Sequence, residues 1–218
     1  MNNALLPLND DEKRTLFSLL RHASYIVLQL LAVFALWGLG AIYKEGLIEE
    51  YGILENLQTG VLALTTAVLL GEAARHERYR AILFALAMCT TAALIREQDA
   101  FLDEHLPLIS WKFCFIFPAM GLAALWRQVR TDRKPLFDFF RSSSFGIMLM
   151  AFVTIVPLAQ CLGHRHFVID VLGTEEEPRL IRRFLEEPFE FMGYIQLLLA
   201  SIEFYFDLIR RRDAEKVG

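Results

Sequence analysis

Six runs of mostly apolar residues divide this chain, each about 20 residues long, the length of helix that crosses a hydrocarbon core. They cover residues 24–43, 51–71, 80–98, 108–126, 144–163 and 189–209. Inside a bilayer each backbone N–H and C=O must find its partner within the segment, so a run of this kind folds as a helix. The expected fold is therefore an all-α membrane protein, a six-transmembrane-helix bundle embedded in a lipid bilayer. Composition agrees: 55% of the residues are hydrophobic, against about 45–50% in soluble domains.

The remaining sequence organises the bundle. Residues 1–22 read as a polar N-terminal segment, residues 23–209 as a single transmembrane domain, and residues 210–218 as a basic tail. The first run is long and begins only after Arg21-His22, which marks a retained span rather than a cleaved leader. With six spans both termini share one side, which holds 15 of the 22 Lys and Arg residues. By the positive-inside rule that side is cytoplasmic, so a bacterial inner membrane with both termini inside is expected. Cys89, Cys114 and Cys161 all fall inside apolar runs and have no metal-binding spacing, so they read as small hydrophobes. The last external connection holds Thr174-Glu175-Glu176-Glu177, a capping-box pattern, ahead of the apolar stripe Leu180, Ile181, Phe184 and Leu185. A short interfacial helix is expected there. The basic, aromatic stretch 127–141 suits an anionic inner leaflet, and no nucleic acid partner is expected.

Polar residues gather at one level. Taking about 1.5 Å of rise per residue, Glu55 and Gln58 fall within the outer half of the hydrocarbon, and Arg96, Asp99, His164 and Glu190 at its outer boundary. A carboxylate at such a depth costs several kcal/mol unless it is paired, protonated or metal-bound. Glu55, Asp99 and Glu190 are accordingly the catalytic candidates. Arg96, Glu97, Gln58 and Lys112 are expected to supply the ion pairing that fastens the helices, and Glu203 is expected to reach the opposite interface. His105, His164 and His166, with Asp103, form a candidate metal set. Three imidazoles and a carboxylate fit one divalent ion, zinc or manganese.

Three classes of function accommodate this layer. The first is a metal- or carboxylate-dependent membrane-embedded hydrolase acting on a lipid or membrane-associated substrate. The second is a non-catalytic subunit or sensor that binds a partner, a second copy or a small-molecule ligand. The third is a small ion- or proton-coupled carrier, although the cytoplasmic halves of the spans are almost purely apolar and show no path. In plan, several spans with inward acids and histidines, the chain resembles the membrane ceramidase and adiponectin-receptor superfamily. That family's paired H-x-x-x-H and its S-x-x-x-H are absent, so the resemblance implies no site residue.

Overall fold

In the computed structural model of the chain, residues 9–47, 52–99, 102, 104, 111–172 and 178–217 are described, and among them there is no strand. Five helical stretches are long and apolar enough to cross a membrane: Glu12–Tyr43, Ile53–Arg75, Glu77–Glu97, Ser143–Leu162 and Leu180–Arg212. The chain falls into two units, Met1–Ile42 and Tyr43–Gly218.

The first unit is a single helix, α1 (Asp10–Tyr43). Asn9 and Glu12 close a reciprocal cap at its start, each side chain accepting from the other's backbone N–H at 2.8 Å. The helix therefore begins well inside the stretch expected as a polar head and runs without a break into the first apolar run. Ile26, Phe34 and Trp37 are among its many exposed apolar side chains, a surface suited to lipid contact.

The second unit contains α2 (Ile53–Arg75), α3 (Arg80–Glu97), α4 (Ile116–Thr131), α5 (Lys134–Phe140), α6 (Ser143–Val153), α7 (Arg165–Leu172) and α8 (Pro178–Val217). A 3-10 turn, Trp111–Phe115, leads into α4. The sixteen residues of α4 are short of a full crossing, and residues 108–110 of the expected span lie outside the described residues. α2 packs on α3, α3 on α4, and α8 on both α2 and α6. The core is built from Leu69, Leu83, Met88, Phe139, Met148, Phe204 and Leu208, with the Phe139 and Phe204 rings 5.1 Å apart and steeply inclined.

Without a hydrophobic drive between helices in lipid, close backbone approach and interhelical hydrogen bonds hold such a bundle together. Both occur here. A Cβ on Gly121 of α4 would stand 2.8 Å from the Ala85 Cα of α3, so only glycine allows that contact. The Thr66 and Thr90 hydroxyls bond at 2.8 Å between α2 and α3, and the Ser144 hydroxyl donates to the Ala200 carbonyl at 2.7 Å between α6 and α8.

Three features of these helices stand out. After α6 the helix widens into a π segment, Thr154–Ala159, which holds Pro157; the missing proline N–H makes a regular ladder impossible there. α8 runs unbroken from Pro178 to Val217 with Pro188 inside it, so the stripe expected as a separate interfacial helix is the start of the last membrane helix. One lost i→i−4 bond does not end a helix whose flanking turns are packed. The capping box itself, Thr174–Glu177, lies outside the described residues. Glu203 does not reach an interface: it is fully buried.

Candidate functional site: a carboxylate layer at one end of the bundle

The start of α2, the end of α3, the turn Gln160–Leu162 and the first turns of α8 meet at one end of the second unit, and their polar side chains face each other. Arg96 lies at its centre. Its Nη2 donates to Glu190 Oε1 at 2.6 Å and to Glu97 Oε1 at 3.2 Å. Glu97 also accepts from the Tyr194 hydroxyl at 2.7 Å. Gln160 Nε2 donates to Glu190 Oε1 at 3.1 Å and to Glu186 Oε1 at 2.7 Å. From α2, Gln58 Nε2 donates to the Glu187 carboxylate at 3.0 Å and to its backbone carbonyl at 3.1 Å. Gln98 Nε2 donates to the Thr59 hydroxyl at 2.7 Å, tying the end of α3 to α2.

The helical register of α8 explains the convergence. Glu187, Glu190 and Tyr194 follow the i, i+3, i+7 spacing of one helix face, and that spacing survives only because the helix passes through Pro188. Glu97 and Arg96 sit in the last turn of α3. One oxygen from each of Glu97, Glu187 and Glu190 lies within 4.8 Å of the others. The Arg96 guanidinium bonds two of these three carboxylates, and the Arg183 charge acts on the third, Glu187.

A cavity of about 500 Å³ opens beside the cluster, lined by Glu55, Arg96, Glu97, Asp99, Gln160, Arg182, Arg183, Glu186, Glu187 and Glu190. The three catalytic candidates from the sequence, Glu55, Asp99 and Glu190, thus line one space. Glu190 is the most enclosed of them at 4% exposure, while Glu55 is half-buried and Asp99 exposed. Arg182 donates from Nε to the Gly163 carbonyl, pinning the first turn of α8 against the chain that follows the π segment.

The expected metal set is placed differently. His164 and His166 are exposed and stack with ring centroids 5.4 Å apart, and neither lines the cavity. Asp103 and His105 lie outside the described residues. Of the expected ion-pairing residues, Arg96, Glu97 and Gln58 all belong to the layer, whereas Lys112 is exposed in the turn before α4. Sequence reasoning missed Glu187, Glu186, Gln160, Arg182 and Arg183 as site residues. The signal for Glu187 was present as its three-residue spacing to Glu190, but treating Pro188 as a boundary concealed it.

Comparison of the chain with protein families, with curated proteins and with solved structures found no match.

A second polar group lies at the other end of the bundle. The Tyr79 hydroxyl donates to Asp138 Oδ2 at 3.2 Å, and Arg211 Nη1 pairs with Asp138 Oδ1 at 3.4 Å.

Proposed function

We propose that this integral membrane protein is a binding subunit or sensor whose cavity takes the headgroup of a zwitterionic amphiphile. The observation that carries this reading is the mixed lining: six carboxylates and three arginines face one space at the end of a membrane bundle. An amine meets the acids, and an acidic group on the same headgroup meets Arg182 and Arg183. Apolar Phe184 and Phe189, both exposed on the same turns of α8, offer contact to the acyl part. The positive-inside bias supports six spans with both termini cytoplasmic and the cavity on the outer side of a bacterial inner membrane. Reporter fusions to the two termini test that topology.

The functional test is lipid binding by the detergent-purified protein, read by native mass spectrometry and by thermal stabilisation. Phosphatidylethanolamine is expected to bind more tightly than phosphatidylglycerol, and the Glu55→Gln, Asp99→Asn double variant to weaken it at least tenfold. Equal binding of both lipids, or an unaffected variant, overturns the reading.

A second reading, a membrane-embedded hydrolase, is favoured by the convergence of Glu55, Asp99 and Glu190 on one cavity. A carboxylate in such a place serves as a general base toward water. Turnover of a lipid ester or amide, lost in Glu55→Gln and in Asp99→Asn, would raise it above the first.

A further inference from the structure

We propose that Glu97, Glu187 and Glu190, together with the Gln58 side-chain carbonyl, hold one hard divalent cation of about the size of Ca²⁺. The site forms the inner wall of the cavity assigned above to a headgroup, but it stands on separate observations and does not depend on that reading. It also differs from the imidazole-rich set suggested by the sequence, because every donor here is oxygen.

The first observation is the carboxylate geometry. The three oxygens lie within 4.8 Å of one another. Two ligands on opposite sides of a Ca²⁺ ion, each at about 2.4 Å, are separated by about that distance. Mg²⁺ dehydrates reluctantly and usually keeps several waters, so a set of four protein oxygens suits Ca²⁺ better. The charge also calls for a cation, since six carboxylates face only three arginines, Arg96, Arg182 and Arg183, in the lining of the adjoining cavity. Glu187 receives the neutral Gln58 amide at its carboxylate and also lies in the field of Arg183.

The second observation is independent of the acids. Gln58 is fully buried, and its Oε1 meets no hydrogen-bond donor among the described residues. Its Nε2 is held by Glu187 on two sides, by carboxylate and backbone carbonyl. Turning the amide over would set Oε1 against two acceptors, so the orientation is fixed by chemistry. A buried carbonyl oxygen without a donor costs about 1–3 kcal/mol. Here it stands in the same planar amide as the nitrogen bonded to Glu187, beside the carboxylate cluster. A cation satisfies the orphan oxygen and the excess negative charge together. Amide oxygen and carboxylates are the ligand types that hard cations select.

The test uses the full-length protein in detergent after chelator treatment, with Tb³⁺ as a luminescent stand-in for Ca²⁺. Tyr194 lies one hydrogen bond from Glu97, close enough to sensitise a bound Tb³⁺ ion. One saturable Tb³⁺ site per chain is expected, displaced by Ca²⁺ at lower concentration than by Mg²⁺. Glu187→Gln should weaken it about 100-fold and Gln58→Leu about tenfold. If Glu187→Gln loses its helical circular dichroism, Glu187→Asp and Gln58→Leu carry the test, each with at least fivefold weakening expected. No saturable site, or a site that both Glu187 and Gln58 variants leave unchanged, overturns the proposal. Cation binding is read without lipid, so loss of headgroup binding with Ca²⁺ binding intact removes only the headgroup reading, and the converse result removes only this one.

Discussion

The Tyr194 hydroxyl donates to Glu97 Oε1 at 2.7 Å, joining α8 to the last turn of α3 across 97 residues of chain. Both side chains are almost wholly enclosed. The bond therefore orients a carboxylate that also receives Arg96, and it leaves the other Glu97 oxygen for a different partner.

Tyr194→Phe keeps the ring and removes only that donor. We expect a loss of about 1.5–3 kcal/mol, the usual worth of a hydrogen bond to a charged group, with Arg96 still bonded to the same oxygen. Unfolding in mixed detergent micelles measures it. A double-mutant cycle with Glu97→Gln should return a coupling above about 0.5 kcal/mol. A coupling near zero would show that the hydroxyl bond contributes nothing to holding α8 on α3.

Arg96→Leu should be the most damaging single change in the layer, because it strands two carboxylates at once. Breaking a buried ion pair from one side costs about 3–5 kcal/mol. Arg96 is partly exposed, with 41% of its side chain accessible, so solvent screening places the expected loss toward the low end. Adding Glu190→Gln to Arg96→Leu should recover part of it. Arg96→Lys should fall between, since one ammonium replaces a planar fork.

Gly121→Ala should destabilise the bundle by about 1–3 kcal/mol, as overpacking does, because the new methyl meets Ala85 backbone. Gly146→Ala, on a helix face with nothing within 4 Å, is the matched control and should leave thermal stability unchanged or slightly raised. Equal effects at the two positions would show that the α3–α4 contact is looser than described.

Thr66→Ala and Thr90→Ala each remove the same hydroxyl pair. A loss of about 0.6 kcal/mol is expected, the average for hydrogen bonds between membrane helices. Thr90 should cost slightly more, since its hydroxyl also reaches the Ala87 carbonyl at 2.9 Å.

Five apolar spans were legible in the sequence because apolar length is a backbone requirement imposed by lipid, and it leaves a mark over some 20 residues. The expected span 108–126 is matched by the shorter α4. The level of the polar layer was legible for a related reason: Gln58, Arg96, Glu97 and Glu190 interrupt those runs at matching depth. Partner choice was not. Lys112 and Arg96 are both cations near the expected outer boundary, and nothing local says that one joins the cluster while the other stays exposed. Glu187 was hidden by Pro188, whose usual meaning as a helix boundary is overridden here by packing on both sides. Glu203 was misjudged because its position near a span's end says how far it lies from water along the axis, and nothing about which way it faces.

The unbroken course of α8 has a mechanical consequence. At about 1.5 Å per residue its 40 residues form a rod of about 60 Å, roughly twice the hydrocarbon thickness. Some 32 Å of that rod separate Glu190 in the carboxylate layer from Arg211, which pairs with Asp138 at the opposite end. A pivot of only about 5° at Glu190 swings Arg211 sideways by about 3 Å, enough to part a contact of 3.4 Å. With no proline joint between these two points, a tilt imposed at one membrane face is delivered whole to the other.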